Sequence, residues 1–81
     1  MFVYKTKGVC STEIHIQTKD DVIESVEFIN GCPGNLFGIS TLVKGMKINE
    51  AIEKLSGIKC KTKDTSCPDQ LALALKTLQE A

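Results

Sequence analysis

The sequence predicts an α+β domain in which a three-stranded antiparallel sheet is followed by three helices packed on one of its faces. Three observations carry this. Residues 2–29 have the period-two, β-branched patterning of strands, a Gly, Pro and Asn cluster at 30–35 breaks that pattern, and the remainder reads with helical spacing. Strands come first and helices after, without the alternation of a parallel α/β fold. With 81 residues, no internal repeat and no low-complexity linker, residues 1–81 read as one domain.

Phe2-Val3-Tyr4 is a short apolar run that suits a first strand. Thr12 to Thr18 alternates with period two, which puts Ile14 and Ile16 on one face. Lys19-Asp20-Asp21 supplies turn residues, and Val22 to Ile29 resumes a β-rich pattern in which Val22, Val26 and Phe28 have the same parity. Asn30-Gly31-Cys32-Pro33-Gly34-Asn35 cannot continue a strand and marks the turn into the helices. Asn35 is then the expected N-cap of a helix over Leu36 to Lys44, with Gly45 as its C′ residue. Over Ile48 to Leu55 the apolar residues Ile48, Ala51, Ile52 and Leu55 fall at i, i+3, i+4 and i+7, and Ser56-Gly57 stops that helix. A polar loop over Lys59 to Asp64 leads to the last helix, whose stripe is Leu71, Ala74, Leu75 and Leu78. Ser66 with Asp69 three residues on resembles a capping box, with Asp in the usual Glu or Gln place, and Pro68 suits the first turn.

Ten Lys plus Arg balance ten Asp plus Glu, so the basic footprint of a nucleic-acid binder is missing. No run approaches the roughly 18–20 apolar residues of a membrane span, and Met1-Phe2-Val3-Tyr4-Lys5 lacks the charged start and long apolar run of a signal peptide. A cytoplasmic protein without nucleic-acid or membrane partners is therefore expected. In that reducing compartment its four cysteines are better explained as metal ligands or redox thiols than as disulfides.

Cys10 lies between the first two strands, Cys32 at the strand-to-helix turn, Cys60 in the loop before the last helix and Cys67 at that helix's start. All four positions are element ends, which two packed layers would bring to one edge. Cys32 and Cys67 precede or begin helices, where unpaired N–H groups and the dipole favour thiolate, the form that binds metal or acts as nucleophile. Spacing alone leaves two readings open, since the gaps of 21, 27 and 6 residues contain no C-x-x-C pair. The four are either scattered small hydrophobes or ligands of a common site. In the second case Cys10, Cys32, Cys60 and Cys67 would hold one Zn²⁺ or a small iron–sulfur cluster. A different chemistry uses Cys60 and Cys67 alone, as the two ends of a thiol–disulfide relay.

Thr65-Ser66-Cys67-Pro68-Asp69 spells TSCPD. Together with Asn30-Gly31-Cys32-Pro33-Gly34-Asn35, Val43-Lys44-Gly45-Met46 and the four cysteines, it closely resembles the small four-cysteine TSCPD-domain family over nearly the whole chain. That family is similar to a C-terminal domain of adenosylcobalamin-dependent ribonucleotide reductases. The resemblance implies an accessory domain with a protein partner, either such a reductase or an iron–sulfur assembly protein. It does not imply independent catalysis, because 81 residues have no room for a nucleotide site, a radical-generating cofactor and a protected barrel.

From Cys10 onward the chain also resembles, more distantly, the iron–sulfur scaffolds of the IscU/NifU type and their two-layer sandwich. Cys10, Cys32 and Cys67 match three scaffold ligands in order, a resemblance that implies an iron–sulfur cluster scaffold or carrier as a further alternative. Ser11-Thr12 stands where the scaffold pattern has Gly-Asp, and Ser66 replaces a His. Cys60, which that pattern lacks, would turn an open, labile site into a closed four-thiolate one suited to structural Zn²⁺ or a retained cluster.

Other residues have plainer readings. His15, the single histidine, sits opposite Ile14 and Ile16 and is expected on the outer sheet face. Asp20, Asp21, Glu24, Glu27, Glu50 and Glu53 read as solvated turn, strand and helix positions. Gly31 and Gly34 form no phosphate loop, because no Gly-Lys-Ser/Thr follows. Leu36, Phe37, Ile39 and Leu42 nearly encircle the first helix; they are expected to fill the core, with a partner surface as the alternative.

Overall fold

A computed structural model describes residues 1–31, 33–59 and 64–80. Strands β1 (Phe2–Lys5), β2 (Glu13–Lys19) and β3 (Val22–Ile29) form an antiparallel meander in the order β1-β2-β3. Helices α1 (Pro33–Val43), α2 (Ile48–Leu55) and α3 (Cys67–Glu80) follow. This is the α+β architecture that the patterning predicts.

Register explains which face is buried. Tyr4, Ile14 and Phe28 are cross-strand neighbours, as are Phe2, Ile16 and Val26, so two apolar rows run across one face. The opposite face carries the row Val3, His15 and Glu27. Helical residues Val43, Ile48, Ala51, Leu71, Ala74 and Leu75 close over the apolar rows. Ile14, Ile16, Ile23, Leu71 and Leu75 are fully buried, each stabilising the fold by about 1.5–3 kcal/mol through transfer from water.

The parity expected for β3 fails at its start, for a local reason. Pairing shifts between Gln17 and Thr18, which leaves Glu24 as an extra residue between the partners Ser25 and Ile23. Glu24 and Ser25 are both exposed, and Ile23 takes the inward position in place of Val22. Beyond this bulge the chain between α1 and α2 pairs with β3. Ile23 N–H donates to Met46 O at 2.9 Å, Gly45 N–H to Ile23 O at 2.8 Å and Ile48 N–H to Asp21 O at 2.8 Å. Gly45 makes this turn at φ +89°, as its C′ assignment requires.

Two helix starts differ from expectation. Helix α1 begins at Pro33, so Asn35 lies in its first turn and does not cap it; the fixed φ of proline suits that first position. At α3, Asp69 N–H donates to Ser66 Oγ at 3.2 Å, as a capping box requires. The Asp69 carboxylate, however, reaches away, accepting from Gly57 N–H at 2.7 Å and from the Thr65 hydroxyl at 2.6 Å. It thereby ties the end of α2 to the start of α3.

Candidate metal centre

The loop between β1 and β2 carries Cys10 and is fastened at both feet. Thr6 N–H donates to Thr12 O at 3.1 Å, Thr12 N–H to Ile29 O at 2.9 Å, and the Thr6 hydroxyl donates to the Ser11 carbonyl. The same loop is stitched to α3: Lys7 N–H donates to Gln70 Oε1 at 3.1 Å, and Gln70 Nε2 donates to the Thr65 hydroxyl at 3.0 Å. On the α3 side, the Ser66 hydroxyl donates to Ile58 O at 2.6 Å. Asp69 is held below the usual aspartate range, first by the Thr65 hydroxyl and then by the Gly57 amide, against a small desolvation penalty and with a weaker pull from Lys76.

These fastenings bring two of the expected cysteines together. Cys10 Sγ lies 3.8 Å from Cys67 Sγ, across 57 residues of sequence. Cys10 is exposed and Cys67 is buried, so the pair sits at the mouth of the core. The Ser11 hydroxyl stands 3.3 Å from Cys67 Sγ on the buried side. Gly31 closes the cluster from the end of β3. At φ +95°, a Cβ on it would come within 2.7 Å of Leu36 Cδ1, 3.2 Å of Ser11 N and 3.3 Å of Cys10 Sγ.

Cys32 and Cys60, the other two expected ligands, lie outside the described residues, so the expected Cys60–Cys67 redox pair has only Cys67 in view. Among the described residues, no three His, Cys, Asp or Glu side chains gather as a metal-binding group. His15 is on the outer sheet face, as its parity predicts, with Nε2 at 2.9 Å from Glu13 Oε1. The separation of the pair in view is that of two thiols in contact, and it equals the spacing of two ligands on one tetrahedral ion. Two thiolates on one tetrahedral Zn²⁺, each at about 2.3 Å, stand roughly 3.8 Å apart. A disulfide would need about 2.05 Å.

The sequence-level patterns missed Ser11, Gln70 and the reach of Asp69. Ser11 follows Cys10 directly, which is the signal that was there to be found. Helix α1 also departs from expectation. Leu36 is buried, but Phe37 and Leu42 are 74% and 76% exposed and fill no core. The helix carries no charged side chain. A groove of about 410 Å³, lined by Val26, Phe28, Gly31, Leu36 and Phe37, runs between it and β3. A second, of about 330 Å³, lies on its other flank by Leu42, Met46 and Leu55.

No helix of the described residues is long and apolar enough to cross a membrane. No curated protein and no solved structure matches the chain. The TSCPD domain model does match, over residues 2–79, a span that takes in the whole sheet, Cys10 and the Cys67 helix start together. The chain belongs to the TSCPD domain family.

Proposed function

We propose that this protein is a cytoplasmic metal-binding accessory domain in which Cys10, Cys32, Cys60 and Cys67 hold one Zn²⁺ or a small iron–sulfur cluster. The observation that carries the reading is the 3.8 Å separation of Cys10 Sγ and Cys67 Sγ, the spacing of two ligands on one tetrahedral ion. A bound metal would cross-link the β1–β2 loop to α3, adding a staple to a domain whose core is small. The chain's own residues prepare for this. The Lys7–Gln70 and Thr65–Asp69 hydrogen bonds hold the two cysteine-bearing segments in place.

The partner in this reading is a larger protein, either a ribonucleotide reductase or an iron–sulfur assembly protein. The uncharged outer face of α1, with Phe37 and Leu42, supports a docking role. Function is then structural or recruiting. Zinc and iron uptake by Cys10→Ser and Cys67→Ser tests the proposal: each variant is expected to lose stoichiometric metal while keeping the secondary structure of the parent. Unchanged uptake in both would contradict it.

One observation favours a second reading, a thiol–disulfide relay. Cys10 is exposed and already 3.8 Å from Cys67, so this pair is a candidate alongside Cys60 and Cys67. In such a relay two thiols lose two protons and two electrons to form one disulfide, and an acceptor disulfide on the partner is reduced to two thiols. Mass mapping after mild oxidation decides it, since a relay requires a reversible disulfide that includes Cys67.

A further inference from the structure

Ser11 is the polar side chain that the four-cysteine reading leaves unused. It is 2% exposed, and among the described residues Cys67 Sγ, at 3.3 Å, is its hydroxyl's hydrogen-bond partner. Its backbone is held as well, because the Ser11 carbonyl accepts from the Thr6 hydroxyl, and a Cβ on Gly31 would crowd the Ser11 amide. Between a thiol and a hydroxyl, either group can donate. A sulfur bound to a metal has no proton to give, so metal loading leaves the hydroxyl as the donor.

We infer that Ser11 is a positioning residue that donates an O–H···S hydrogen bond to the metal-bound sulfur of Cys67, orienting that ligand and offsetting the negative charge of a four-thiolate site. The inference rests on the four-cysteine reading. Its physical basis is that groups bonded to ligands fix the ligand's geometry and electron donation, and their loss commonly costs 10–100-fold in metal affinity.

The test uses the full chain with cobalt(II) as an optical probe and zinc competition as the affinity measurement. In Ser11→Ala the sulfur becomes more electron-rich, so the thiolate-to-cobalt charge-transfer band moves to lower energy and zinc affinity falls by roughly tenfold or more. Ser11→Thr, which keeps a hydroxyl, leaves the band at the parent position. A measurement without substitution accompanies these: exchange of the Ser11 hydroxyl proton with solvent slows when zinc is loaded. Parent-like band and affinity in Ser11→Ala, or equal band shifts in the Ala and Thr variants, overturn the inference while leaving the metal site standing. Failure of the parent protein to take up cobalt or zinc overturns both.

Discussion

The two ends of the sheet are held by different chemistry. At the end where β2 turns into β3, the connections are backbone to backbone: Ile23 with Gly45 and Met46, and Asp21 with Ile48. At the other end, side chains do much of the fastening, through Thr6, Thr65, Ser66, Asp69 and Gln70, and the Cys10–Cys67 pair sits among them. A backbone ladder tolerates many sequences, since every non-proline residue brings the same donor and acceptor. A side-chain network demands particular residues, and here it surrounds the place where Cys10 and Cys67 meet. The first end builds the fold; the second positions the Cys10–Cys67 pair.

The largest expected effect erases the distinction. Ile14→Ala removes a fully buried central-strand side chain that both ends rest on, and should cost about 2–5 kcal/mol in chemical denaturation. Gly31→Ala should act on the cysteine end. A Cβ at φ +95° strains the backbone by about 1–2 kcal/mol and crowds Cys10 and Ser11, which thiol reactivity of Cys10 would register. Gln70→Ala strips the Lys7 amide of its partner and should cost about 1–2 kcal/mol, with faster amide exchange at Lys7 and little change at Ile23.

Smaller still is the acid response of Asp69. Its folded pKa lies below the unfolded value of 3.8, so its stabilising contribution is complete above that value and is lost as pH falls through the folded one. The stability difference between the parent and Asp69→Asn, present at neutral pH, should therefore shrink on acidification below about pH 4. Least of all, Phe37→Ser should move stability by no more than about 0.5 kcal/mol, because that ring contributes little to the core. A larger loss would mean that α1 is part of the core after all.

The same contrast explains what was legible in the sequence. Helix α2 could be read to its end residues because Ile48, Ala51, Ile52 and Leu55 repeat with clean helical spacing. The inward face of β3 could not, because the bulge at Glu24 reverses parity without a glycine or proline to announce it. Ser66 as a cap was legible because its partner is three residues away. Asp69 to Gly57 spans 12 residues and Ser11 to Cys67 spans 56, distances at which only the folded chain decides who meets whom. Cysteine placement at element ends predicts that all four thiols converge; Cys10 and Cys67 do meet, while Cys32 and Cys60 lie outside the described residues.

X-ray absorption on protein purified without oxygen addresses the metal site most directly, because it reads both the metal and its ligand atoms. Stoichiometric zinc or iron with a sulfur coordination shell at about 2.3 Å is the expected result. Protein that arrives metal-free, with all four cysteines titrating as thiols, would contradict it.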